Sequence, residues 1–164
     1  MYNAITRAIE DELIPCCRKY GLDIVIYNPL AGGIFSGKYK SKDTPQESGR
    51  FSDNSGASAK MYRDRYFNDA TFEALRIIEP VAEKHGLTLL EIALRWCVHH
   101  SKLIMGDEEG QKMRDGVIIG VSSLKQLEEN LRDLEKGPLP DEVVQTLDRV
   151  WGGVTRGRGP LYWR

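Results

Sequence analysis

The sequence is short of several things. Histidine and cysteine number three each in 164 residues, and the formal net charge is only −1. Cys16 and Cys17 are neighbours, which rarely bridge, and Cys97 leaves the count odd, so a disulfide framework is not expected and reduced thiols fit. Cys97 and His100 would share a helix face, but no further ligand is spaced to join them and no metal site is expected. The near-neutral charge offers no basic surface for a nucleic-acid partner. No apolar run approaches the length of a spanning helix, and no basic-then-apolar signal opens the chain. A cytoplasmic protein with no membrane partner is therefore expected. What is present, 41% hydrophobic and 29% charged residues, is a globular composition.

One stretch organises the rest. Ile24 to Tyr27 is a short β-branched and aromatic run that reads as a buried strand. It breaks at Asn28-Pro29 into a loop with Gly32, Gly33 and Gly37 that ends on Lys38. Glycines let backbone N–H groups approach an anion closely, and a lysine adds charge. An ordinary strand-to-loop turn reads the same way, so the loop alone decides nothing.

Before this strand, Ile5, Ile9, Leu13, Cys17 and Tyr20 recur at helical spacing, with Pro15 bending the helix or marking its first turn and Gly21 stopping it. Residues 39–60 are polar and read as a long excursion, followed by an aromatic and basic helical turn, Met61 to Phe67. A helix follows from Thr71, with Pro80 implying a bend, and another from a Thr88-x-x-Glu91 capping box. Val117 to Val121 reads as a second buried strand of a parallel sheet. It runs into Ser122-Ser123 and a leucine-spaced helix (Leu124, Leu127, Leu131, Leu134). A last helix begins at Pro140-Asp141.

Ser122-Ser123 is the second anion-friendly feature. A strand ending in two hydroxyl residues at a helix N-terminus presents N–H groups and the positive dipole end, with Lys125 and Gln126 in the first turn and Glu129 and Asn130 one turn on. Plain helix capping explains the serines equally well. Two such features in one parallel α/β chain suit a barrel, where ligands collect at the C-terminal ends of strands.

The segment Tyr27-Asn-Pro-Leu-Ala-Gly-Gly-Ile-Phe-Ser-Gly-Lys38 resembles the seventh-strand loop of the aldo-keto reductases. Ile118-Ile-Gly-Val-Ser-Ser-Leu-Lys-Gln-Leu-Glu-Glu-Asn130 resembles the eighth-strand cofactor motif of that family. Met1-Tyr-Asn-Ala-Ile is similar to the segment after the sixth strand. Gly49-Arg50-Phe51, Met61-Tyr-Arg-Asp-Arg65 and the closing Tyr162-Trp163-Arg164 are most like the aflatoxin aldehyde reductase branch.

The resemblance implies an α/β fold: the C-terminal part of a (β/α)8 TIM barrel, the last two strands with their helices, over residues 1–164. It implies hydride transfer between NADP(H) and aldehydes or ketones. Tyr27 would stack on the nicotinamide. Asn28, Pro29, Leu30, Ala31, Gly32, Gly33, Gly37 and Lys38 would cradle the pyrophosphate, with Arg50 reaching the cofactor from the excursion. Ser122, Ser123, Gln126, Glu129 and Asn130, with Lys125 as an extra charge, would hold the adenosine 2′-phosphate end. Tyr62, Arg65 and Arg164 match substrate-pocket positions, the arginines suiting a carboxylate. The full-length family leaves room for a homodimer.

The catalytic Asp, Tyr, Lys and His of the family fall outside the matching segments, so no catalytic residue is assigned. The expectation is a C-terminal portion, through a truncated gene model, a split gene or an expressed fragment, that is inactive alone and aggregates or stays molten without its complement. A non-catalytic nucleotide-binding module, by analogy with the potassium-channel β subunits, is the alternative.

Overall fold

The computed structural model describes residues 1–43, 49–52, 56–106 and 113–158. The chain begins with a turn where the apolar spacing predicts a helix. Asn3 Oδ1 accepts the Ile5 N–H at 3.1 Å, and the backbones of Asn3 and Thr6 exchange bonds of 3.1 and 3.0 Å. An asparagine that bonds its own backbone in this way competes with helix formation. A single 3-10 turn follows at Ala8–Glu10, and helix α1 runs only over Leu13–Lys19. Tyr2, Ile5 and Ile9 are buried all the same. The apolar spacing thus reports burial without helical hydrogen bonding. Pro15 falls in the first turn of α1, where its missing N–H costs nothing. Gly21, at φ +66°, closes the helix in a Schellman arrangement, with Leu22 N–H on the Cys17 carbonyl at 2.9 Å and Gly21 N–H on that of Arg18 at 3.2 Å.

The two strands are shorter and more open than their apolar runs suggest. β1 is Val25–Ile26 and β2 is Gly116–Val117, paired in parallel with Val25 opposite Gly116 and Ile26 opposite Val117. Further N–H bonds from Gly116 to Ile24 and from Ile118 to Ile26, 2.9 and 2.8 Å, extend the ladder. Ile24 and Ile26 are buried against the helices, but Val25 is 61% exposed and Ile118 56%. Alternation along a strand sends these side chains to the opposite face, and no described element covers that face. The expectation of strands buried on both sides therefore fails here, because the described helices cover one side only.

Five described α-helices follow β1, three before β2 and two after it. α2 (Gly56–Tyr66) begins five residues ahead of the aromatic turn read from the sequence. α3 (Asp69–Lys84) is capped by the Asn68 side chain and carries Pro80 on an exposed position. α4 (Leu89–His99) is capped by Thr88, whose Oγ1 accepts the Glu91 N–H at 3.1 Å. The reciprocal half of the box is diverted, since the Glu91 carboxylate holds Arg95 at 2.6 Å and Lys136 at 3.1 Å. After β2 come α5 (Leu124–Leu134) and α6 (Asp141–Val150), the latter continued by a π turn at Trp151–Thr155. α4 packs on α5 and α3 on α6. Trp96 lies at the centre, fully buried, with the Arg7 guanidinium 4.4 Å above its ring and Tyr2 edge-on at 5.3 Å.

The connection from α5 to α6 is fastened to α4 by polar bonds. Arg95 donates to the carbonyls of Gly137 at 2.7 Å and Pro138 at 2.6 Å, and His100 Nε2 accepts the Leu139 N–H at 2.8 Å. That last bond requires an unprotonated Nε2. Burial, then His99 and Arg95, push the His100 pKa below its ordinary 6.5, against the opposing pull of Asp148 and Asp141. A histidine with a lowered folded-state pKa contributes stability that is complete above the unfolded value and is lost as pH falls below it. The thermal midpoint should therefore fall between pH 7 and pH 5 by more in the parent than in His100→Gln. Parallel melting curves check this, and superimposable pH profiles would refute it.

Candidate cofactor site

Parallel pairing dictates where the two anion-friendly segments lie. Both strands run the same way, so Tyr27-Asn28 and the Ile118–Ser123 segment leave the sheet at one edge. The N-terminal turn fixes the first exit. Tyr2 N–H donates to the Tyr27 carbonyl at 3.3 Å and Asn3 Nδ2 to the Asn28 carbonyl at 2.9 Å. Tyr27 alternates with buried Ile26 and shares the open face with Val25, leaving its ring available to a ligand.

The loop after β1 is folded more tightly than a flexible glycine loop. Ala31–Ser36 forms 3-10 turns, with Ala31, Gly32, Ile34 and Phe35 buried against α2 and α4. Asn28 and Ala31 sit at φ +59° and +49°, conformations that L residues enter at a cost of about 1–2 kcal/mol. Such strain persists only where the surroundings over-determine it, and it concentrates at functional sites. The N–H groups of Ala31, Gly33, Phe35 and Gly37 all bond to carbonyls inside the loop, those of Asn28, Leu30, Leu30 and Ile34. These four donors therefore point inward, and the cradle of free N–H groups imagined from the glycines is not present at them. Pro29 is buried, Leu30 half-buried, and Lys38 exposed at the loop's end.

Gly32 explains the loop's close fit. A Cβ there would lie 2.9 Å from Tyr62 Cδ1 and 3.2 Å from Tyr66, and its φ is +71°. Tyr62 of α2 thus rests directly on the loop. Its ring also stacks with Tyr66 at 6.4 Å and carries the Arg50 guanidinium at 4.9 Å. Arg65 lies one turn further along α2, half-buried, with its Nε buried and unpaired among the described residues. Arg164 lies outside the described residues.

At the second exit, Ser123 caps α5 by accepting the Gln126 N–H at 3.2 Å. Gln126 reaches back so that its Oε1 accepts the Ser122 N–H and hydroxyl, both at 2.9 Å. Plain capping is therefore realised here, by a box displaced one residue outward. Anion binding is compatible with it. The first turn of α5 carries no acidic residue, and Lys125 stands in that turn, largely exposed, its ammonium 3.8 Å from Glu129. Asn130 is only 5% exposed, and Glu129 faces solvent. On the chemistry of its donors, one helix terminus and two exposed lysines, this edge fits a phosphate-bearing ligand.

Sequence reasoning missed Asn3, which ties the strand exit, Phe51, fully buried beside Tyr62, and Tyr66 beneath the loop. The Asn-x-x-Thr spacing of residues 3–6 is the signal for the first. The other two lie in segments the sequence does single out, Gly49-Arg50-Phe51 and the aromatic turn Met61 to Phe67, but which ring is buried is recognisable only from its partners. The tyrosine hydroxyls of the core are committed: Tyr2 donates to Glu10 at 2.5 Å and accepts the Lys102 N–H at 3.0 Å, and Tyr66 donates to Met1 Sδ at 3.1 Å. Burial raises both pKa values. A groove lies between the end of the loop and the helices α3 and α4, lined by Gly37, Lys40, Glu79 and Leu89. Among the described residues no group of His, Cys, Asp and Glu is arranged to hold a metal, and no helix is long and apolar enough to cross a membrane.

The Aldo/keto reductase family model matches residues 1–152. The chain is 44% identical to an aldo-keto reductase of Pseudocercospora fijiensis over 98% of its own length and 52% of that protein's. It is 45% identical to aflatoxin B1 aldehyde reductase member 2 of Homo sapiens and 43% to that of Mus musculus, in each case over its whole length and 45% or 44% of theirs. The glycerol dehydrogenase of Gluconobacter oxydans superposes with a TM-score of 0.56 at 21% identity, covering 98% of this chain and 42% of that one. The chain thus spans about half the length of the relatives it matches, and its two parallel strands with their helices are part of a barrel-type α/β fold. It belongs to the aldo/keto reductase family.

Proposed function

We propose that this chain supplies the cofactor side of an NADP(H)-dependent oxidoreductase that reduces aldehydes or ketones. The observation that carries the reading is the parallel pairing of β1 with β2. It delivers the Tyr27–Lys38 loop and the N-terminus of α5 to one sheet edge, the place where ligands of open and closed parallel sheets collect.

Tyr27, on the open face, would receive the nicotinamide. Lys38 at the loop's end would neutralise the pyrophosphate, and Arg50 would approach from the excursion. Ser122, Ser123 and Lys125 would meet the 2′-phosphate, with Gln126, Glu129 and Asn130 lining the adenosine. When bound, NADPH supplies the hydride. Tyr62 and Arg65, one helical turn apart on α2, would orient a carbonyl substrate, and Arg65 suits one bearing a carboxylate. Residues 1–164 act as one unit in this reading, in the cytoplasm, where the free cysteines suit a reducing compartment.

In this reading the acid that protonates the carbonyl oxygen is assigned to none of the described residues. Tyr2 and Tyr66 have their hydroxyls engaged inside the core, and the matching segments do not include the catalytic set of the family, which this reading places in the remaining half of the barrel. That same observation favours a second reading, a module that binds the nucleotide without turnover. Titration with NADPH followed by fluorescence, then an assay with an aromatic aldehyde, separates the two. The expected result is binding with no turnover by this chain alone, and turnover when the remaining half of a relative is supplied. Absence of NADPH binding would reject the cofactor reading, and turnover by the chain alone would reject the account of the acid.

A further inference from the structure

We propose that Phe51 is the positioning residue of this edge, a ring plug that holds Arg50 against Tyr62; its consequence for the cofactor rests on the reading above. The inference starts from a contradiction in the sequence: Phe51 lies in a polar excursion, yet it is fully buried. Ser52 N–H bonds the Gly49 carbonyl at 3.1 Å, a four-residue turn with Arg50 and Phe51 at its two corners. Adjacent corners project differently, so burial of one side chain presents the other.

The ring of Phe51 is gripped on several sides. Its centroid lies 4.6 Å from that of Phe67, 4.9 Å edge-on from Tyr39, and 6.3 Å from Tyr62. The backbone is held as well, since Arg63 Nη1 donates to the Phe51 carbonyl at 3.1 Å. Arg50 itself stays exposed and touches Tyr62 through its guanidinium. An exposed cation–π contact is too weak to hold a long side chain unaided. The plug beside it supplies the order. Because Tyr62 in turn rests on Gly32, one buried ring sets the cation, the α2 tyrosine and the glycine loop in register.

Two measurements test this on the isotopically labelled chain. The first is the ring-current shift that Tyr62 imposes on the Arg50 side-chain protons, which needs no ligand. It should be present in the parent, reduced in Phe51→Leu, which refills most of the buried volume, and lost in Phe51→Ala. An unchanged Arg50 shift in either variant, with the fold verified by its spectrum, overturns the proposal. The second is NADPH affinity, which should weaken about tenfold in Phe51→Ala, the worth of one contact to a charged group. It should weaken no further when Phe51→Ala is added to Arg50→Met, because both remove the same contact. An additive loss would mean that Phe51 acts on the cofactor by another route and would also overturn the proposal. Loss of the Arg50 shift with unaltered NADPH affinity would support the positioning role and remove Arg50 from the cofactor reading.

Discussion

Replacing Asp115 by alanine should lower the unfolding free energy by about 3–5 kcal/mol and separate the two strands. This carboxylate lies ahead of β2 with no exposed side-chain surface, and it serves three elements. Its Oδ1 accepts the Ile24 N–H at 2.8 Å, its Oδ2 accepts the Ile104 N–H at 2.7 Å, and both oxygens accept the Arg18 guanidinium from α1. The converse clamp is Asp23, whose Oδ1 accepts the Arg114 N–H at 2.9 Å. The starts of both strands are thus cross-linked by paired aspartates.

Burial alone would raise the Asp115 pKa, but Arg18 and the two N–H groups outweigh it and hold the carboxyl below its usual value of 3.8. A depressed folded pKa contributes stability that is present above the unfolded value and lost as pH falls through the folded one. This clamp is therefore intact at neutral pH and fails only in acid. Alanine strands two buried N–H donors as well as Arg18. Arg18→Met leaves Asp115 with both backbone donors and should cost distinctly less. Urea titrations of the two variants decide the matter: equal midpoints would show the cation, not the N–H groups, to be the dominant partner.

How far this was legible in the sequence depends on whether a residue acts through its neighbours in the chain or through distant ones. The Ser123 cap, the Gly21 stop and the left-handed glycines of the loop are local events, and their residue types announce them. Asp115 sits in a polar stretch that reads as a bland connection, since nothing near it signals that Arg18 and Ile24 will arrive. Phe51 is hidden for the same reason. The turn at Asn3 is masked in the sequence by apolar spacing, which Ile5 and Ile9 satisfy through burial alone. The strand runs are legible, but the burial expected of them on both faces is not realised, because Val25 and Ile118 face a side that no described element covers. At the candidate site, the glycines announce a loop, whereas their spacing does not reveal that the N–H groups of Ala31, Gly33, Phe35 and Gly37 bond inward. In that loop, side-chain cations are left to meet an anion in place of these four backbone donors.

Charge reversal at the two exposed lysines should therefore distinguish the two ends of the cofactor. Lys125→Glu should weaken NADPH by roughly 10–100-fold, the range for one interaction with a charged group, and leave NADH nearly unchanged, because only NADPH carries the 2′-phosphate assigned to the start of α5. Lys38→Glu should weaken both nucleotides alike, since the pyrophosphate is common to them. The replaced Lys125 would also stand beside Glu129, which now lies 3.8 Å from its ammonium, so two carboxylates would face the phosphate. Lys38 has no ion-pair partner among the described residues, so its reversal disturbs little else. Both side chains are exposed, and the losses should shrink as salt rises, the Debye length falling from about 10 Å at 0.1 M to 3 Å at 1 M. Isothermal titration of both nucleotides at two salt concentrations tests the assignment. If Lys125→Glu weakened NADH as much as NADPH, the 2′-phosphate would not lie at the Ser122–Asn130 end. If Lys38→Glu spared both, the loop after β1 would hold no phosphate, and its strained Asn28 and Ala31 would have to be explained by packing against Tyr62 and Tyr66 alone.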